Sequence, residues 1–218
     1  AHLGAKLLGL GCSADRPLMV LAPNSIAHAE VGLAAMRVGV PLCPVSVSFA
    51  STSSDYGRLR HVAEVATPAA LFIAHGSLFQ SAAMSIRDLI GTIIREDELD
   101  SLQEVSASFA SAAEQSVGPE TLAKVLFTSG STSKPKAVPN THRMLCSNQA
   151  AISRMWPCID EQPPVIVDWL PWNHTFGGNA DSNLVLSNGG TLYIDEGKPA
   201  PGLIEPPLIA GLAPKNSG

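Results

Sequence analysis

The chain has 218 residues, of which 45% are apolar and 15% charged, and its formal net charge is -5. A chain of that length buries roughly 70% of its unfolded surface, so wholesale disorder is excluded. No basic stripe is interleaved with aromatics, which argues against nucleic acid as a partner, and no apolar run reaches the ~18 residues of a membrane span.

In chain order, residues 1–17 lack a basic leader, a long apolar core and a clean cleavage site. Residues 18–22, LMVLA, read as a buried strand, and Ser25 is placed to cap the helix that follows. In that helix Ile26, Ala29, Leu33 and Met36 recur at spacings of three and four and form one apolar face. Gly39 ends it, and VPLCPVS begins a second strand. Residues 55–66 read as a helix, 69–74 as a strand, 77–90 as a helix, and GTII as a short strand. Strands alternating with helices predict an α/β fold with a mainly parallel sheet flanked by helices. Residues 101–118, rich in Ser, Ala and Gln, read as a connecting segment between an α/β subdomain at 1–100 and a second at 119–218. AKVLFT is then a strand, KAVPN leaves the loop after it, and Asn140 or Thr141 caps a helix to about Met155. That helix carries Met144, Leu145, Ala151, Ile152 and Met155 on one face. PPVIVDWL is a strand, PWNHTFGGN a loop, ADSNLVLS a helix and GGTLYID a strand. Cys12, Cys43, Cys146 and Cys158 have no C-x-x-C spacing and read as small buried hydrophobes of a reducing compartment. The chain is read as soluble and cytoplasmic, with no protein metal site.

The chemistry concentrates in LFTSGSTSKPKAVPNTHR. Glycine at 130 permits positive φ and close approach of a ligand. Successive backbone N–H groups in such a turn form an anion-binding concavity. Hydroxyls from Thr128, Ser129, Ser131 and Thr132 add donors, and Lys136 adds a compact positive charge that a polyphosphate satisfies. A Walker loop needs G-x-x-x-x-G-K-[ST]. Here Pro135 stands at the second glycine and Ala137 at the metal-binding hydroxyl, so this is a phosphate loop of another kind. His28, His61, His75 and His2 are scattered and join no constellation, and His142 reads as part of a helix start.

FTSGSTSKPKAV resembles the signature T-S-G-[ST]-T-G-x-P-K-G of the adenylate-forming enzymes, which include acyl- and aryl-CoA ligases. DWLPWNHTFGGN followed by LVLSNGGTLYIDEGKP is similar to their aromatic–histidine segment, nearest the feruloyl-CoA synthetase-like branch. The resemblance implies an acid–thiol ligase. A carboxylate attacks the α-phosphate of ATP in the presence of Mg²⁺, and the thiol of CoA then displaces AMP. It assigns Thr128, Ser129, Gly130, Ser131, Thr132 and Lys136 to the β- and γ-phosphates. His174 is assigned to orient the carboxylate or an α-phosphate oxygen, and Trp172, His174, Phe176, Gly177 and Gly178 to the carboxylic acid, a hydroxycinnamate in this branch. Ser133 and Ala137 stand where the family loop usually carries glycine, and each added Cβ narrows the available backbone angles. Full members are more than twice as long, so the chain is expected to be an N-terminal piece lacking the family's C-terminal domain. It is then inactive alone and prone to form a homodimer through exposed sheet edges and apolar surface. The alternative is a noncatalytic nucleotide- or acyl-binding domain of the same fold.

Overall fold

The computed structural model describes residues 2–51, 56–74, 76–128 and 134–195. It is α/β, as the alternation predicts. One six-stranded sheet has the order β4-β3-β1-β2-β5-β6, built from β1 Leu18–Leu21, β2 Leu42–Pro44, β3 Ala70–Ile73, β4 Thr92–Arg95, β5 Leu122–Thr128 and β6 Lys136–Thr141. The first five are parallel, and β6 turns back antiparallel to β5 at the edge. Pro139 is tolerated there because an edge strand needs only one side of its ladder. A second sheet pairs β7 Val165–Asp168 with β8 Thr191–Ile194 in parallel.

The central strands are buried on both faces, which is why they read as unbroken apolar runs. Leu18, Val20, Leu42 and Phe72 pack on one side, under helices α1 His2–Gly9 and α2 Ile26–Arg37. Met19, Leu21, Leu71 and Ile73 pack on the other. That side is covered, beyond the one-turn helix α3 Ser48–Ser51, by α4 Gly57–Ala66 and α5 Gly76–Ser85. Each such side chain, fully removed from water, contributes about 1.5–3 kcal/mol. The segment read as a connector holds a helix, α6 Ala107–Gln115, whose N-cap Ser106 accepts from Phe109 N. Helix α7 His142–Met155 and the single turn α8 Cys158–Glu161 follow. A π-helical turn Phe176–Asp181 then runs into α9 Ser182–Ser187.

Helix α2 begins as expected, with Ser25 Oγ accepting from His28 N at 3.1 Å. Ser25→Ala is expected to lower stability by about 1 kcal/mol in denaturant melts. Its exit also follows the reading, with Gly39 at φ 73°. Its buried face does not. Ala27, Val31 and Ala35 enter the core, while Ile26 is 72% and Leu33 40% exposed. Helix α2 lies close against the sheet on this face, where a Cβ at Gly32 would stand 2.9 Å from Leu42 Cδ2. Helix α7 differs likewise: Met144 and Met155 are exposed and Gln149 is buried. Gln149 Nε2 donates to the carbonyls of Asn179 and Ala180, so a polar residue ties this helix to the π-turn. The cysteine reading holds for Cys12 and Cys43, which are buried, and not for Cys146 on α7 and Cys158 at the start of α8, which are exposed. Among the described residues no helix is long and apolar enough to cross a membrane.

Candidate active site

The phosphate-loop residues Ser129, Gly130, Ser131 and Thr132, with Ser133, lie outside the described residues. Both ends of the loop are described, and both are fixed. Thr128 closes β5 directly opposite Lys136, the first residue of β6. A paired antiparallel register holds two such positions about 5 Å apart, so the loop is a hairpin connection with pinned ends. Lys136 is exposed and has no acidic partner among the described residues. Pro135 is buried, and its carbonyl accepts from His61 Nε2 on α4 at 3.0 Å. His61, set aside as scattered in the sequence, therefore anchors the exit of the loop. Ala137 is a strand residue paired with Phe127, so its Cβ imposes no backbone strain.

A cavity of about 720 Å³ opens where several strands end. Its walls come from Asn24 and Ser25 after β1, Ser46 and Ser48 after β2, Trp169 and Trp172 after β7, and Asp195 after β8. Parallel sheets place ligand sites in this position, beyond the carboxyl ends of their strands. The two sheets are joined there by Asn24. Its Nδ2 donates to Leu170 O at 2.8 Å, and its Oδ1 accepts from Trp172 N at 3.1 Å. Asp168, buried at the end of β7, accepts from Leu170 N at 2.7 Å and shapes the same loop.

Behind Trp172 lies a smaller, largely apolar cavity of about 290 Å³, lined by Ile26, Leu33, Met36, Leu42, Val185 and Leu192 among others. The apolar stripe read on α2 lines this cavity, with Met36 also packed against the core. Three buried polar side chains also line it: His28, Lys124 and Trp172. His28 meets Trp172 edge to face, with ring centroids 5.2 Å apart. Its Nδ1 lies 3.2 Å from Pro23 O, and since a carbonyl can only accept, Nδ1 carries the hydrogen and Nε2 is the bare acceptor. Burial, reinforced by the Lys124 charge and opposed by the Pro23 hydrogen bond, lowers the imidazole to about 4. Lys124, on β5, donates to Gly178 O, and burial lowers its ammonium to about 8. Neither His28 nor Lys124 was legible as a site residue.

The structure does not gather the expected pocket residues into one wall. Trp172 is buried and lines both cavities, and Gly178 lines the smaller one. His174 and Phe176 are exposed on the turn between them. Gly177 and Gly178 are buried, and the atoms nearest to where their Cβ would stand are backbone atoms of Leu170 and Trp172. The π-helical turn lets the chain fold that tightly, with Gly178 N donating to His174 O at 2.8 Å. Turns of this kind are concentrated at functional sites. Among the described residues no group of three metal-ligating side chains occurs.

Comparison with known proteins agrees with the fold. The family described as AMP-binding enzyme matches residues 1–206. Apicidin F synthase of Gibberella fujikuroi is 32% identical over 155 residues, 69% of this chain and 3% of the synthase. The 4-coumarate–CoA ligase-like 6 protein of Oryza sativa is 33% identical over 150 residues, 66% of this chain and 23% of that protein. Among solved structures, ATP-bound MatB from Rhodopseudomonas palustris superposes with a TM-score of 0.67 at 20% identity, over 88% of this chain and 37% of MatB. A fatty acyl-adenylate ligase from the structures of the E. coli and L. pneumophila enzymes gives 0.72 at 23% identity, over 88% and 34%. The chain thus spans about a third of these solved chains and a quarter or less of the curated relatives.

Proposed function

The chain belongs to the AMP-binding enzyme family, and on that premise we propose that it supplies the triphosphate grip and part of the acid site of an ATP-dependent carboxylate–CoA ligase. The observation that carries the proposal is the pinned hairpin. Thr128 and Lys136 face each other across the base of a loop that carries four hydroxyl side chains and a glycine before Lys134 and Pro135. Lys136 is exposed and has no acidic partner among the described residues, which leaves it available for the negative charge that grows on departing pyrophosphate. Thr128, Ser129, Gly130, Ser131, Thr132 and Lys136 hold the β- and γ-phosphates, with Mg²⁺ arriving on ATP.

The acid occupies the strand-end cavity. Trp172 supplies a flat apolar wall there. Ser46 and Ser48 line the same cavity with polar side chains. His174, exposed on the adjoining turn, orients the carboxylate or the α-phosphate, and Phe176 extends the wall. The carboxylate attacks the α-phosphate, pyrophosphate leaves, and the thiol of CoA displaces AMP from the acyl-adenylate. A hydroxycinnamate is the acid that the feruloyl-CoA synthetase-like segment and the coumarate ligase-like relative favour.

ATP–pyrophosphate exchange with ferulate or coumarate, measured on this sequence extended to the length of its relatives, tests the reaction. Absence of exchange with every carboxylate tried overturns it. On the present chain, calorimetry with Mg-ATP reads the grip directly. Lys136→Ala is expected to weaken ATP binding roughly tenfold to a hundredfold, the loss of one charge-assisted phosphate contact. ATP binding without exchange in the longer protein identifies the noncatalytic nucleotide-binding domain instead.

A further inference from the structure

The ligase reading leaves the smaller cavity and Lys124 unused. Lys124 is only 6% exposed, yet no acidic side chain pairs with it among the described residues. Its one hydrogen bond among the described residues runs to the backbone carbonyl of Gly178. Buried ammonium groups are ordinarily paired, because an uncompensated charge in an apolar setting costs several kcal/mol. The other titratable groups lining the cavity are His28 and Glu30, both on α2; β2, α9, β8 and the 172–178 turn contribute none. Glu30 is exposed and His28 is basic, so neither compensates the charge.

The mouth is apolar as well. Ile26, Leu33 and Leu186 line the cavity while remaining 72%, 40% and 53% exposed. An aliphatic chain entering between them reaches a floor carrying an amine, an imidazole with a bare Nε2 and the unpartnered indole N–H of Trp172. About 290 Å³ is at the lower end for small-molecule sites and suits a short chain.

We propose that Lys124 is an acylation site: a nucleophilic amine in an apolar slot that accepts short aliphatic acyl groups from activated donors such as thioesters. The Nζ lone pair attacks the acyl carbonyl carbon, the C–N amide bond forms and the C–S bond breaks. The electron pair leaves on sulfur, and the amine proton passes to the departing thiolate, with His28 Nε2 as an acceptor along the way. Trp172 Nε1–H and Asn183 Nδ2, both buried without partners among the described residues, are donors at the cavity for the carbonyl oxygen as it gains charge. The amine is available near neutral pH because burial lowers its basicity, and a neutral amine still has a hydrogen to give Gly178 O. Acylation replaces a buried charge by a neutral amide and fills the slot. The site does not depend on the ligase reading, because the acyl donor is supplied from outside.

The test is to incubate the chain at pH 8 with a hexanoyl thioester of N-acetylcysteamine and map the adduct by peptide mass spectrometry. Lys124 is expected to label about tenfold faster than exposed Lys134, since the apolar slot holds the acyl chain beside its amine. Leu33→Trp, at a position exposed enough to tolerate the change, narrows the mouth; it is expected to suppress labelling of Lys124 several-fold and leave Lys134 unchanged. Labelling of Lys134 as fast as Lys124, no adduct on Lys124, or labelling indifferent to Leu33→Trp overturns the proposal. These outcomes are separable from a failure of ATP–pyrophosphate exchange, which needs neither Lys124 nor a thioester.

Discussion

Gly178→Ala is expected to lower the stability of the chain by about 3 kcal/mol or more, measured as a shift in the denaturant midpoint at unchanged slope. A methyl group at this position would be driven into the carbonyl oxygen, carbonyl carbon and Cα of Trp172. All three are backbone atoms, so no side-chain rotation relieves the clash. The 170–172 segment has to move, and with it the hydrogen bonds from Asn24 that tie the second sheet to the end of β1. The carbonyl that receives the Lys124 ammonium belongs to Gly178 itself, so the cavity floor shifts with the loop. A variant as stable as the parent would show that the second sheet is not seated on the first through this contact. Gly189→Ala makes a control at a different kind of glycine. Nothing lies within 4 Å of a Cβ there, but φ is 62°, so its smaller cost is backbone strain alone.

Acidification from pH 7 to pH 4 is expected to remove about 3 kcal/mol of stability through His28 alone. The folded imidazole is lowered to about 4 from an ordinary 6.5, first by burial. The unfolded chain therefore takes up a proton that the folded chain refuses over that interval. The contribution is fully present above pH 6.5 and is lost as pH falls towards 4. Carboxylates add their own pH dependence, so the measurement is a difference. Unfolding free energies at pH 7 and pH 4 are compared for the parent and for His28→Gln, whose side chain does not titrate. The variant is expected to lose about 3 kcal/mol less across the interval. Equal losses would place His28 in contact with water and would remove the dry floor on which Lys124 acylation also depends.

Much of the fold could be read locally. The runs of β1, β2 and β3 are apolar because they are buried on both faces, and an unbroken apolar run is the signature of that burial. Ser25, Gly39 and Thr141 announce helix boundaries because caps and left-handed exits are satisfied within three or four residues. The phosphate loop is read in the same local way, because its hydroxyls, glycine and lysine fall within nine positions, 128–136, of which 129–133 lie outside the described residues. The failures share a cause. Helix α2 carries two apolar stripes, and periodicity cannot tell which faces the sheet and which faces an open cavity. His61 and Pro135 are 74 positions apart, and Asn24 and Trp172 are 148 apart. Spacing along the chain carries no trace of such meetings.

The sequence by itself determined the strands, most of the helix limits and the family, because each of those is a property of neighbouring residues. Tertiary structure alone decided that β5 lies beside β2, that a histidine on α4 pins the loop exit, and that a lysine on β5 ends in an apolar slot beneath Trp172. Burial and uncompensated charge depend on which distant segments close over a side chain. They shift the basicity of His28 and Lys124, and they exist only once the chain has folded.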